Sequence, residues 1–309
     1  TFSILETMLN ILSIISWQRS RKSYELNLKA ETQKELAVKK ISRIKRTACL
    51  LFTFLPILFG LVIPLTQLFI WATQTYKEIF NSSLFYIAFQ SIGVALLTAF
   101  LIVLFAICIT YFKSWSHLKS TTFFTKIATI GYVIPGAIIG IGVIRSSQLI
   151  IDFFFINFNL KIGYLFYSTS IILIYAYIFR FLAVGYNIVE SNSIKIGRKL
   201  SESSYLLGLS RIRTFLKIDL SLLKTTLISA FILVFIDTLK ELPLTLILKP
   251  YNLQTLAVKA YEYAEDERVA ESAIPSLLII VIIGLLISFI NIINSVGIKI
   301  VSLIFFVIL

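Results

Sequence analysis

Four ionisable residues interrupt stretches that are otherwise nearly free of charge: Arg180 in IILIYAYIFRFLAVGYNIVE, and Asp237, Lys240 and Glu241 in FILVFIDTLKELPLTLILKP. Their formal charges cancel. Charges set in apolar surroundings either pair with one another or face a water-filled path, because lipid cannot hydrate them. Arg180 lies nine residues from the inner end of its run and Asp237 twelve from the inner end of its own. At about 1.5 Å per helical residue the two depths differ by only about 5 Å, so these residues can pair across helices. Asp237 and Lys240 are also three apart on one helix, the spacing of helical neighbours. Two roles are open: a structural ion-pair network, or a gate or polar lining of a translocation path. A second group is the acidic run EYAEDERVAESAIP (262–275), which sets Glu262, Glu265, Asp266 and Glu267 about a turn apart. Carboxylate oxygens suit hard cations such as iron(III), calcium or manganese. The same run also reads as a solvated helix before Pro275, or as a docking surface for a soluble protein. No metal ligand set is assigned.

Enzymatic constellations are not expected. The sequence shows no nucleophile with a base and orienting acid, and no glycine-rich phosphate loop. Cys49 and Cys108 sit in or beside apolar runs and form neither a disulfide framework nor a zinc motif, and His117 has no neighbouring ligand residues. The chain is therefore read as a non-enzyme that binds no cofactor of its own.

The elements that must hold these residues are membrane helices. Hydrophobic residues make up 58% of the 309, against about 45–50% in ordinary soluble domains. The mean hydropathy is +0.90. Six runs are long enough to span about 30 Å of hydrocarbon: about 47–72, 84–112, 122–144, 165–189, 225–248 and 273–296. Pro56 and Pro64 break the first. Pro135, Gly136 and Gly140, with Gly142, mark the third as either a hinge or pore-lining segment or a place of close helix packing. The net charge of +13 would point to nucleic acid in a soluble protein, but its distribution excludes that partner. Residues 19–46, 113–126 and 190–224 carry net +7, +3 and +4, so the positive charge falls in alternate loops and those loops face the cytoplasm. The 249–272 segment, with five acids against three bases, is then external. Residues 1–46 read as the end of a preceding helix (2–17) followed by a basic cytoplasmic tether that can touch anionic lipid. Residues 47–296 form the membrane domain, and the apolar tail 297–309 is unassigned.

Between the fourth and fifth runs lies SESSYLLGLSRIRTFLKIDLSLL (201–223), polar and basic, two short helices around Gly208. It cannot cross a bilayer and must lie in water at the surface. Its Glu202, Ser203, Ser204, Gly208, Ile218 and Leu220 fall in a pattern that resembles the cytoplasmic coupling loop (here 195–221) of ABC transporter permeases. That family has alanine where Ser203 and Ser204 stand and proline where Ser221 stands. The stretches GYVIPGAIIGIGVI (131–144), YIFRFLAVGYNIVE (177–190) and the block from Phe235 to Pro275, above all DTLKELPLTLILKP, look like those of iron(III)-type, binding-protein-dependent ABC permeases. The resemblance implies an all-α, six-span importer bundle with a cytoplasmic coupling helix, in a bacterial inner membrane with both termini cytoplasmic. It implies ATP-binding subunits that carry ATP and magnesium, a second permease half, and a periplasmic ferric-binding protein that docks on the 262–267 acids. In such a permease Arg211, Arg213 and Lys217 would meet acidic groups of the ATP-binding subunit or mark the inner face. A permease for sulfate, molybdate or a polyamine, and a non-functional fragment of a double-length permease, are the alternatives.

Overall fold

The computed structural model describes residues 43–115, 119–160, 163, 170–196 and 199–294. The helix end at 2–17, the tether up to residue 42, His117 and the tail 297–309 lie outside them. The described residues are almost entirely helical and contain no strand. Among the described residues, five helices are long and apolar enough to cross a membrane, by length and composition: Thr47–Ile79, Ser82–Trp115, Gly136–Phe158, Ile171–Ile196 and Arg211–Leu239. The sixth expected run carries the shorter apolar stretch Ala273–Ser288.

The first run is continuous rather than broken. Helix α1 (Arg43–Ile57) passes through a π-turn at Leu58–Val62 into α2 (Ile63–Ile79). Pro64 has no N–H to give the carbonyl four residues back, and its ring crowds that turn. The wider π-turn just before it absorbs the mismatch without ending the helix. Helix α3 (Ser82–Trp115) starts where the Asn81 side chain accepts from the Leu84 N–H at 3.0 Å, which satisfies one of the helix's unpaired donors.

The third run differs more. A short helix α4 (Lys119–Ala128) and a 3₁₀ turn (Ile130–Val133) lead to Pro135, and the long helix α5 (Gly136–Phe158) begins only after it. The residue before a proline is pushed into extended conformation, and Ile134 has ψ 130°. Pro135 therefore fixes the start of the helix, and residues 145–158 belong to it instead of to an outer loop. Asn159, left-handed at φ 51°, closes its end, with the Asn159 and Leu160 N–H groups turned back to Phe155 and Phe154. Helix α6 spans Ile171–Ile196. After α7 (Lys199–Leu206), α8 (Arg211–Thr214) and a second π-turn (Phe215–Asp219) comes α9 (Leu220–Leu239). The fifth run also breaks: the α9 helix stops at Lys240, and α10 (Pro243–Leu248) starts afresh at a proline. Helices α11 (Leu256–Glu265) and α12 (Ala273–Asn294) complete the described chain.

Helices α3, α6 and α9 form the centre. Ala95, Ala99 and Ile102 of α3 are buried against Leu173, Ala176 and Tyr177 of α6 and Ile232, Val234 and Phe235 of α9. Small residues let the backbones approach closely where no water drives them together. The ends of α3 define two opposite ends of the bundle. Near its start, Gln90 holds Asn252 O and the Gln254 N–H, both at 3.1 Å, and Ser91 accepts from the Leu256 N–H at 2.8 Å. Near its finish, Tyr111 stacks edge-on against Phe215, ring centres 4.2 Å apart. About twenty residues, or about 30 Å, separate those anchor points.

Candidate functional site

Two features stand out: a polar elbow at one end of the bundle, and a charge cluster within it. The elbow is α7, Gly208, α8 and the second π-turn. Helix α7 ends because Gly208 takes φ +83°, a left-handed conformation that lets the Leu209 N–H turn back to Ser204 O at 3.1 Å. A Cβ at Gly208 would meet nothing within 4 Å, so the glycine is there for its backbone angle and not for space. Ser210 then caps α8 by accepting from the Arg213 N–H. The two limbs are pinned together: the Ser204 and Thr214 hydroxyls lie 2.8 Å apart and buried, and the Ser201 hydroxyl donates to the buried Asp219 carboxylate at 2.9 Å. Glu202 is exposed in the first turn of α7, Ser203 is also on the outer side, and Ile218 and Leu220 are half-buried. The elbow's outer side carries apolar residues in the open, Leu206 at 89%, Leu207 at 84% and Ile212 at 63% exposure, among the exposed Arg211, Arg213 and Lys217. Sequence reasoning missed the Ser201–Asp219 and Ser204–Thr214 ties.

The cluster joins three parts of the chain. Arg180 pairs with Glu241 (Nη1 to Oε1, 3.5 Å) rather than with Asp237, and Lys240 pairs with Asp237 at 3.1 Å. Equal depth left the choice of partner open, and the turn after α9 swings Glu241, not Asp237, toward α6. Glu241 also accepts from the Leu244 N–H, and its carbonyl receives the Thr245 hydroxyl, which lies 2.5 Å from the buried Tyr177 hydroxyl. Gly136 packs on the pair: a Cβ there would collide with Arg180 Nη1 and stand 2.8 Å from Glu241 Oε1. Pro135 therefore serves to start α5, and Gly136 leaves room for the ion pair. Gly140 faces Ile247 of α10, with only 3.1 Å available to a Cβ. A further pair went unnoticed in the sequence: Lys113 of α3 meets Glu190 of α6 at 2.5 Å and donates to the Tyr186 hydroxyl at 3.2 Å. Opposite charges at the same end of two adjacent spans were the available signal. Arg180 lies ten residues before Glu190 on α6, about 15 Å deeper into the bundle.

At the end opposite the elbow the acidic run divides. Glu262 is tied inward, to Lys249 at 3.0 Å, Lys259 at 3.5 Å and Gln254. Glu265, Asp266 and Glu267 are exposed, the last at φ 63°. No group of three or more His, Cys, Asp or Glu side chains among the described residues is placed to hold a metal ion. Burial alone would raise the Glu262 pKa, but the Lys249 hydrogen bond and charge, with Lys259 and Gln254, outweigh it and hold the carboxyl below its ordinary 4.5. A depressed folded-state pKa adds stability that is present above the unfolded value and is lost as pH falls through the folded one. Hydrogen-exchange protection across 249–262, corrected for the intrinsic pH dependence of exchange, should therefore fall as the pH drops through that lowered value in the wild type. Glu262→Gln should make that acid-induced change vanish; if it persists, the ion pairs do not hold this loop.

No protein-family model matches the chain. It is 26% identical over 219 residues to the probable transport system permease protein NifC of Clostridium pasteurianum, covering 69% of this chain and 74% of that protein. It is 23% identical over 137 residues to the Fe(3+)-transport system permease protein FbpB 2 of Haemophilus influenzae, covering 44% of this chain and 27% of that longer protein. A chain from a bacterial alginate ABC transporter, solved in complex with an alginate pentasaccharide-bound periplasmic protein, superposes with a TM-score of 0.67 at 15% identity, over 81% of this chain and 95% of its own. A second structure, an ABC transporter involved in import of the acidic polysaccharide alginate, gives 0.63 at 16% identity, over 83% and 98%. The chain shares its fold, a bundle of long apolar helices, with these chains of the alginate ABC transporter. Its relatives in sequence are permeases named for Fe(3+) transport and NifC.

Proposed function

We propose that the chain is one permease half of an ATP-driven importer that moves ferric iron, handed over by an external binding protein, into the cytoplasm. The observation that carries this is the elbow. It is a doubly pinned hook that presents exposed leucines and isoleucine beside arginines and a lysine, a mixed apolar and charged surface suited to a protein partner. An ATP-binding subunit that grips it would move α9 as a rigid body, because the π-turn Phe215–Asp219 joins the elbow directly to that helix. Glu265, Asp266 and Glu267, exposed at the opposite end, would receive the binding protein. ATP and magnesium belong to the gripping subunit, and a second permease half completes the path. Ferric iron as the solute rests on the Fe(3+)-named relative and on the DTLKELPLTLILKP resemblance.

Topology tests the reading directly. In a Cys49→Ser, Cys108→Ser background, Gly208→Cys should react with a membrane-impermeant maleimide in inverted vesicles and stay unlabelled in intact cells. Labelling from the outside of intact cells would leave the elbow unreachable by any ATP-binding subunit and end the proposal. Uptake of labelled ferric iron that depends on such a subunit is the complementary result.

A further inference from the structure

The members of the charge cluster are unequally open. The side chains of Arg180, Glu241 and Asp237 are 19%, 8% and 10% exposed, whereas that of Lys240 is 51% exposed. The exposed ring of Tyr132 lies within electrostatic reach of Lys240 and Asp237. A cluster that is formally neutral thus shows a positive face. Lys240 is not at the bundle's end: after it comes α10, whose Leu244 and Thr245 are wholly buried, before the chain reaches the outer loop. An ammonium group open at that depth is not accommodated by hydrocarbon and belongs to a water-filled path or the bundle interior. Low-dielectric walls focus its field on whatever passes. Behind it, the buried Arg180 guanidinium is ion-paired with Glu241 through Nη1, and its Nε has no hydrogen-bond partner among the described residues. A bare trivalent cation would meet repulsion from the open side of Lys240, and an anion would meet an ammonium that Asp237 holds on one side only, backed by the Arg180 guanidinium.

We propose that the solute passes this cluster as an anion, either a small oxyanion or a metal wrapped in an anionic carboxylate chelate, with Lys240 as the residue that meets it. This rests on the importer reading. It deepens that reading by stating the charge of what is carried.

The test uses the native host, with the gene deleted and restored as wild type, Lys240→Arg, Lys240→Gln or Lys240→Glu. Uptake of three labelled probes is followed, molybdate, ferric citrate and manganese(II), alongside the amount of protein in the membrane. Wild type should accumulate molybdate or ferric citrate, and which of the two tells oxyanion from chelate. Lys240→Glu should lower that uptake by about tenfold or more at equal membrane abundance, since a like charge would face the solute. Lys240→Arg should keep most of it and Lys240→Gln should fall between. Should charge reversal deplete the protein, Lys240→Gln against Lys240→Arg carries the same comparison. Uptake that is unchanged or raised on removing the positive charge, or wild-type uptake of manganese(II) alone, overturns the anion proposal and leaves the importer standing. Wild-type uptake of none of the three overturns the anion proposal, while the Gly208→Cys labelling decides the importer reading on its own.

Discussion

Arg180→Ala is expected to destabilise the bundle by about 3–5 kcal/mol, the usual cost of removing one member of a buried ion pair. The reason is what stays behind. Glu241 is 8% exposed at its side chain, and without Arg180 its carboxylate keeps only the Leu244 N–H at 3.4 Å. Uncompensated charge in a low-dielectric interior is costlier than the loss of a favourable contact. The double variant Arg180→Ala, Glu241→Gln should therefore be more stable than Arg180→Ala alone, because the neutral amide needs no counter-charge. Thermal unfolding of the four members of that cycle, in one detergent, gives the coupling directly. Additive losses would show that the pair is not what joins α6 to the turn after α9.

If the elbow couples to an ATP-binding subunit as proposed, Gly208→Val should leave insertion and abundance near wild type while abolishing the link between ATP hydrolysis and transport. At φ +83° a β-branched residue is held far from any comfortable conformation, at a cost of about 1–2 kcal/mol. Since no atom lies within 4 Å of the added Cβ, the penalty is confined to the elbow's backbone and does not spread into the core. The chain relieves it by rotating α8 against α7, which breaks the Ser204–Thr214 and Ser201–Asp219 ties and displaces the surface the ATP-binding subunit would hold. Gly208→Asn, a residue that tolerates the left-handed region, should retain most of the coupling. Stimulation of ATPase by the loaded binding protein is the readout; equal stimulation in the Val and Asn variants would mean that the elbow's angle does not matter.

Much of this was visible in the residues. Charges in an apolar run cannot hide, so Arg180, Asp237, Lys240 and Glu241 declare themselves, as does a polar segment with a central glycine between two spans. Their partners were not visible, because residue counting along a helix gives depth but not azimuth, and the three residues from Lys240 to Leu242 that turn Glu241 toward Arg180 carry no periodic signal. Proline misled in both directions. Pro64 was absorbed by one wide turn of a continuing helix, whereas Pro135 reset the chain and moved the long third helix to Gly136–Phe158. The difference lies in what precedes each: an apolar helix already under way in one case, and an extended Ile134 in the other. Serines and threonines of the elbow gave no warning of their ties, since their hydroxyls pair across ten to eighteen residues with no pattern in between.

The first long helix, Thr47–Ile79, has none of its most apolar stretch fully buried among the described residues; its second half packs along α12, and Ile79 enters the small cluster of Leu84, Ile87, Leu256 and Ile274. It is a boom lashed to α12 along its second half. Heat or detergent should therefore dismantle the chain in two stages, with the boom swinging loose while the mast of α3, α6 and α9 still stands. A single melting temperature would then describe neither event.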